Sequence, residues 1–506
     1  MYRRAIIVIF SLSLFTSTLT SQGKDELRQF SSGLSKLSSL RKKLESLHKE
    51  RSAIFERLTN TPRTSPDYKP LYERFNAITT EIANLNNEVY SLRTECVNAV
   101  KTLIALGTEE IVNEILNALF GGKASDLQVE EATLNLLAST GNSETIKYLI
   151  KRLETEKNES ILIALCEVMR RKGEKAATDG LISLLSNSDF DVVTSAAKAL
   201  SKIRSKKAVE PMIEALARAE KENKQSAARG ILIAIQDMTG QYNLSNALDF
   251  LNWWNAKGKD TYKEGETPPS RSDVKLSGKF ETILYGNITS KRVIFICDVS
   301  GSMAARGQVP ETGRGDNEKQ PETGGGLKPP PETPKLGEGG IQPGFVGTRI
   351  EILKIELAYV VNKLLAADAK FNIITYSTDV RSWKKSLTLA TKENREAAIE
   401  FVKAMQPYGQ TNTYGALEEA FNDKEVDTIY FLSDGNPTTG TIVNHREILA
   451  AVRYLNKGRN IIINTIGLLV GDYAGEDKEK LVSFLKALAE ENGGTARIIL
   501  DKIVKK

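Results

Sequence analysis

The sequence predicts a multidomain chain: an α-helical coiled-coil hairpin, then an α-solenoid, then an α/β doubly wound domain. Three observations carry this. Apolar residues between positions 24 and 95 recur at helical steps. The stretch 96–257 repeats itself with a period of roughly thirty residues. From Arg292 onward, short β-rich apolar runs alternate with helical patterns.

The chain has 506 residues, 41% hydrophobic and 26% charged, enough for two or three globular domains. The net charge is +5 from 69 basic and 64 acidic side chains. Loss of Arg3 and Arg4 with a leader leaves 67 basic against 64 acidic, or +3. So weak a balance argues against nucleic acid or an anionic membrane as partner. The three cysteines, Cys96, Cys166 and Cys297, are too scattered for a disulfide framework or a zinc site. Each is expected as a small buried apolar residue. Two histidines, His48 and His445, leave little material for imidazole sites or triads.

The opening, MYRRAIIVIFSLSLFTSTLTSQG, has a basic start, an apolar run from Ala5 to Phe15 and small residues after it. It predicts a secretory signal peptide over residues 1–22, cleaved between Thr18 and Gln22. The apolar run is short for a membrane-spanning helix, though an uncleaved anchor is the alternative. No later segment is long and apolar enough to span a bilayer. The expected location is periplasmic or extracellular.

Residues 24–95 carry two stripes. Leu27, Phe30, Leu34, Leu37 and Leu44 form the first. After TNTPRTSPDYKP come Leu71, Phe75, Ile78, Ile82, Leu85, Val89 and Leu92, alternating steps of four and three. That is a coiled-coil seam, and the prolines mark the turn of an antiparallel hairpin. The hairpin is also a candidate oligomerisation surface.

In residues 96–257, SILIALCEVMRRKGEKAATDGLISLL aligns with DVVTSAAKALSKIRSKKAVEPMIEAL from Ser160 and Asp191. The earlier EATLNLLASTGNSETIKYLIKRL fits the same frame, with Gly141 answering Gly173. Each unit is a helix pair, and the pattern resembles short HEAT-like (ARM-type) repeats of bacterial proteins. Trp253 and Trp254 are expected to cap the last repeat. Residues 258–290 are polar and read as a linker that ends in a lead-in strand at ETILYG.

In residues 291–506 the strands are RVIFIC, FNIITYS, DTIYFLS, NIIINTIG and ARIIL. Helices are expected around Ile350 to Leu365, Lys392 to Met405, Tyr414 to Phe421, Asn444 to Leu455 and Glu476 to Glu491. This alternation predicts a parallel, doubly wound (Rossmann-like) sheet. RSWKKSL, Arg381 to Leu387, is expected as an antiparallel edge strand. Ligand sites of such sheets form beyond the carboxyl ends of the strands. Asp298, Ser300 and Ser302 follow the first strand in DVSGSM, and Asp434 follows another in FLSDG. Thr411 and Thr413 stand before a helix in GQTNT. These are hard oxygen donors, suited to Mg²⁺, or to Mn²⁺ or Ca²⁺.

DVSGSM, GQTNT and LSDG, in that order and context, resemble the metal-ion-dependent adhesion site (MIDAS) of a von Willebrand factor A (VWA) domain. The resemblance covers residues 292–500. It implies Asp298, Ser300, Ser302, Thr411 and Asp434 as the metal site. The serines, and sometimes Thr411, would bind directly, with the carboxylates often acting through water. It also implies a partner whose Asp or Glu completes the metal shell. Gly409-Gln410 stands where the family often has Gly-Gly, which leaves Thr411 and Thr413 both open as the ligand.

One departure is an insertion, residues 304–347, rich in Pro, Gly and charge and expected to be disordered. It contains PET three times, so Glu311, Glu322 and Glu332 are tethered acidic groups able to occupy the metal's open position. The alternative is a flexible insertion without that role.

The functional expectation is an exported interaction or adhesion protein that binds an acidic group through a metal, with the helices as scaffold. The alternative is an assembly scaffold in which the VWA domain is a metal-stabilised module. A metal-dependent hydrolase ranks third. The chain offers no phosphate loop, no G-x-S-x-G elbow and no histidine beside a nucleophile, so no enzyme is expected.

Overall fold

The computed structural model describes residues 21–121, 126–272, 282–288, 290–310, 333–471 and 476–500. Residues 1–20 of the expected leader, and Glu311, Glu322 and Glu332, lie outside the described residues. The chain divides into two compact units, residues 1–208 and 209–506.

In the first unit, helices α1 (Ser21–Asn60) and α2 (Tyr68–Leu106) pack side by side. Lys43 meets Glu81 at 2.8 Å and Arg74 meets Glu50 at 2.7 Å. One index rises as the other falls, so the pair is antiparallel. The core of the pair joins Ile78, Ile82 and Leu85 of the predicted α2 stripe to Leu47 and Ile54 of α1, which the predicted α1 stripe did not include; of that stripe Leu44 packs partly buried against them. Gly33 lets the helices touch, because a Cβ there would stand 2.5 Å from Cys96 Sγ. Burial pushes the Cys96 thiol up to about 11.

Six shorter helices follow: α3 (Glu109–Phe120), α4 (Leu127–Ser139), α5 (Ser143–Thr155), α6 (Glu159–Lys172), α7 (Thr178–Leu184) and α8 (Phe190–Ile203). Thr108, Asp126, Asn142, Asn158 and Asp189 cap five of them, each accepting a backbone N–H. The repeat is visible in detail. Helix α8 reproduces α6, and the 3₁₀ turn Lys175–Ala177 recurs as Lys206–Ala208. The left-handed cap at Gly173 (φ 67°) recurs at Arg204 (φ 59°). Gly141 does not answer Gly173 in this respect. Thr140, with extended ψ, ends α4 instead.

The second unit begins with α9 (Val209–Lys221), α10 (Gln225–Thr239) and α11 (Ala247–Trp253). Trp254 is buried and its ring meets those of Trp253 and Tyr262, while Trp253 is half-buried. Strands β1 (Arg292–Asp298), β2 (Arg306–Gln308), β3 (Val346–Thr348), β4 (Lys370–Tyr376), β5 (Val380–Ser382), β6 (Thr388–Leu389), β7 (Thr428–Ser433), β8 (Ile462–Leu469) and β9 (Ala496–Leu500) follow. The main sheet has the order β5-β4-β1-β7-β8-β9. Strands β4, β1, β7, β8 and β9 are parallel, while β5 and β6 run antiparallel on β4. Its two faces carry separate apolar layers, one around Phe295 and Phe371, the other around Ile296 and Phe431. Helices α12 (Arg349–Tyr359), α13 (Lys392–Ala404), α14 (Thr413–Asn422), α15 (His445–Leu455) and α16 (Glu476–Glu491) fall close to the expected spans.

Three expectations need correction. The strand expected over RSWKKSL keeps only Arg381 and Ser382. The chain then bends, because Asn372 binds Lys384 through both its side-chain oxygen and nitrogen, and β6 returns later. The described part of ETILYG, Thr282–Gly286, is a turn with a single Thr282–Gly286 bridge, since Leu284 N–H donates to the Glu356 carboxylate rather than to a strand. The described ends of the insertion are ordered. Strands β2 and β3 pair, and Val309, Ile341 and Phe345 enter the core.

Helix α10 packs on the amino-terminal edge of the sheet. Ser226 Oγ–H donates to Gly458 O and Arg459 O. Arg229 donates to Asp427 O and Asn460 O, just before β7 and β8. Ile233 packs on Gly493, which has a φ of +66° and no room for a side chain. Arg271 pairs with Asp237 and donates to Gln236 Oε1. The opposite edge, where Asp298 and Asp434 lie, does not carry these contacts.

Glu356 of α12 is fully buried and ties two segments down, accepting Leu284 N–H at 2.9 Å and Ile341 N–H at 2.8 Å. Burial raises its carboxyl to about 7, against the pull of those donors and of Arg497. An unfolded Glu titrates at about 4.3. The folded chain therefore holds an extra proton between these values. The stability this group contributes is full below about 4 and is lost as pH rises through about 7. Denaturant unfolding at pH 5 and pH 8 should show that loss, and Glu356→Gln should flatten it.

Candidate metal centre at the carboxyl edge of the sheet

Strand β1 ends at the middle of the sheet, so the loop after it opens between β4 and β7. Asp298 is fully buried there. Its Oδ1 accepts Ser300 N–H at 2.9 Å, and its Oδ2 accepts the Ser433 hydroxyl at 3.0 Å. The turn Gly301–Ala304 brings Ser302 back, with the Ser300 and Ser302 hydroxyl oxygens 3.0 Å apart. Ser302 Oγ–H donates to Asp434 Oδ1 at 2.7 Å. A continuous chain of oxygens thus joins Ser300, Ser302 and Asp434 across two loops.

The third loop is fastened to the first. Tyr408 N–H donates to Val299 O and Gly301 N–H to Gly409 O. Gly409 needs its left-handed φ of +72°, since a Cβ there would meet Thr378 Oγ1 at 2.6 Å. Thr411 N–H donates to Thr438 Oγ1, and Thr411 O accepts from Thr438 and Thr439. Gly435 links the loops: a Cβ there would lie 3.7 Å from Ser302 Oγ and 4.0 Å from Thr411 Oγ1. The structure therefore gathers Asp298, Ser300, Ser302, Thr411 and Asp434 at one edge. Thr413 opens α14 nearby, fully buried. Among the described residues its hydroxyl and that of Ser377 have no hydrogen-bond partner.

Burial raises the Asp298 carboxyl, and the nearby charge of Asp434 raises it further. Burial also raises Asp434, opposed by Arg349 and by the Ser302 hydroxyl. Two acids crowded in a dry site favour a cation between them. Among the described residues no three His, Cys, Asp or Glu side chains gather as one metal site. A cation here would rest on hydroxyls and water as well as carboxylates, which suits Mg²⁺ or Mn²⁺.

Sequence reasoning missed two members. Ser433, the serine of LSDG, holds Asp298 from the end of β7. Its only signal was its place beside Asp434. Arg349 reaches the site from α12: Nη1 donates to Asp434 Oδ2 at 2.9 Å and Nε to Val470 O at 2.8 Å. It stands 47 residues after Ser302, beyond a long insertion, so nothing local announced it.

Fold and site together define a doubly wound sheet domain with an oxygen-rich carboxyl-edge site, preceded by helical repeats. Residues 351–498 match the von Willebrand factor type A domain model, and residues 146–231 match that of HEAT repeats. The chain therefore carries HEAT repeats and a VWA domain. It is 28% identical over 152 residues to von Willebrand factor A domain-containing protein 3A of Homo sapiens, covering 30% of this chain and 12% of that one. It is 31% identical over 165 residues to inter-alpha-trypsin inhibitor heavy chain H4 of Homo sapiens, covering 30% and 17%. The chain thus spans less than a fifth of the length of these relatives. Among solved structures, a von Willebrand factor type A protein from Catenulispora acidiphila aligns at 20% identity with a TM-score of 0.28, covering 42% of this chain and 39% of that one.

Proposed function

We propose that the VWA domain is an interaction module that binds an acidic group of a protein partner through a divalent cation. The gathering of Ser300, Ser302, Thr411, Asp298 and Asp434 from three loops carries this reading. The two serines and Thr411 would hold the ion directly, and the carboxylates would hold it directly or through water. A bound Mg²⁺ or Mn²⁺ supplies an electrophilic centre for a partner's Asp or Glu. Ser433 orients Asp298, and Arg349 orients Asp434. The helices of both units serve as scaffold.

Export to the periplasm or the extracellular space belongs to the same reading and rests on the leader pattern of residues 1–22. No described helix is long and apolar enough to cross a membrane. The test uses paired peptides that differ only in Asp or Glu against Asn or Gln. The intact chain should bind the acidic members in Mg²⁺ and release them in EDTA. Binding that ignores both the acid and the chelator would refute the reading.

A further inference from the structure

Arg349 is the first residue of α12, where the insertion returns to the domain. Its backbone is locked: Thr348 and Glu351 form a capping box, and Arg349 N–H donates to Ala305 O at 2.9 Å. Its side chain runs inward. Nε holds Val470 O, and Nη1 holds Asp434 Oδ2 and, at 3.4 Å, Ser302 O. Arg349 is 2% exposed and Asp434 0%. The guanidinium stays charged through its own basicity, and it stays in place because leaving would strand two buried ions. Among the described residues no ion pair reaches Asp298, which is held by hydroxyl and N–H donors.

The charges can be counted. Asp298 and Asp434 bring two negative charges when ionised, and Arg349 brings one positive. A divalent ion raises the group to a net +1. Without Arg349 the loaded group would be neutral, and a carboxylate ligand would make it negative. In a buried site such differences are weakly screened.

We propose that Arg349 determines the specificity of this site: it weakens the hold on the cation and leaves one positive charge for a carboxylate ligand. This rests on the metal-dependent reading above. Arg349 acts through Asp434 and is a positioning and charge-setting residue. In the metal-free chain it also offsets the repulsion between the two acids, so the fold does not depend on the ion.

The test titrates Mn²⁺ into the intact chain by calorimetry, then acetate into the Mn²⁺-loaded chain, with melting curves in Mn²⁺ and in EDTA. The variants are Arg349→Met, of similar length without charge, and Arg349→Lys, which keeps the charge. Arg349→Met should bind Mn²⁺ about tenfold tighter and acetate about tenfold more weakly. It should also lose more thermal stability in EDTA than the parent does. Arg349→Lys should stay near the parent in both affinities. A folded Arg349→Met with unchanged or weaker Mn²⁺ affinity overturns the proposal. So does an Arg349→Lys that folds yet loses acetate, because geometry rather than charge would then decide. A parent that binds no Mn²⁺, with or without acetate, removes the metal reading and this proposal together.

Discussion

Asp298→Asn is expected to weaken divalent-ion binding by about hundredfold or more while leaving the chain folded. Asparagine keeps the size of aspartate, and its side-chain oxygen still accepts Ser300 N–H. What disappears is one of two buried negative charges. At a few ångströms and an effective dielectric near 20, that charge contributes several kcal/mol to holding a doubly charged ion. A fall of about hundredfold or more in Mn²⁺ affinity follows. Stability in EDTA should move little, or upward, since the repulsion from Asp434 that raises Asp298 is relieved. This opposite response separates a binding residue from a structural one. A buried acid that served only the fold would lower the melting temperature in EDTA when neutralised. Calorimetric titration and a melt of the same sample decide between them.

The second large effect concerns the helices. A chain starting at Val209 should hold a stable VWA domain, whereas one starting at residue 282 should be markedly weaker. Helix α10 supplies the hydrogen bonds of Ser226 and Arg229 to the loops before β7 and β8, and Ile233 covers Gly493. Arg271 fastens the following segment to Gln236 and Asp237, and Ser272 Oγ accepts Ala496 N–H at the start of β9. Removing them exposes apolar surface and leaves several backbone groups without their partners. The cost is on the order of 5 kcal/mol. For a domain of this size that lowers the melting temperature by more than about 10 °C. Equal melting temperatures for the two chains would show that α10 only rests on the sheet.

What the sequence made legible was what depends on local pattern. The stripe from Leu71 to Leu92 foretold α2, and the shifted copies at Ser160 and Asp191 foretold the repeat, though not the left-handed cap at Arg204. DVSGSM and LSDG located the candidate site because each follows a strand whose apolar run is plain to read, whereas GQTNT, between α13 and α14, joined them only through its place before a helix and the family resemblance. Three features were not legible, and each is non-local. Arg349 meets Asp434 only because α12 and β7 converge in space. Glu356 reads as an ordinary helical glutamate, yet Leu284 and Ile341 lie far from it in sequence. The ordered ends of the insertion were hidden by its composition, because three apolar residues, Val309, Ile341 and Phe345, anchor them against an otherwise polar background.

The most direct test of the central claim is calorimetric titration of Mg²⁺ and Mn²⁺ into the intact chain, with and without acetate. The account predicts one ion per chain, strengthened by acetate and removed by EDTA. A folded chain that takes up neither ion under either condition would contradict it, and the oxygen cluster at the sheet edge would then be a structural hydrogen-bond network.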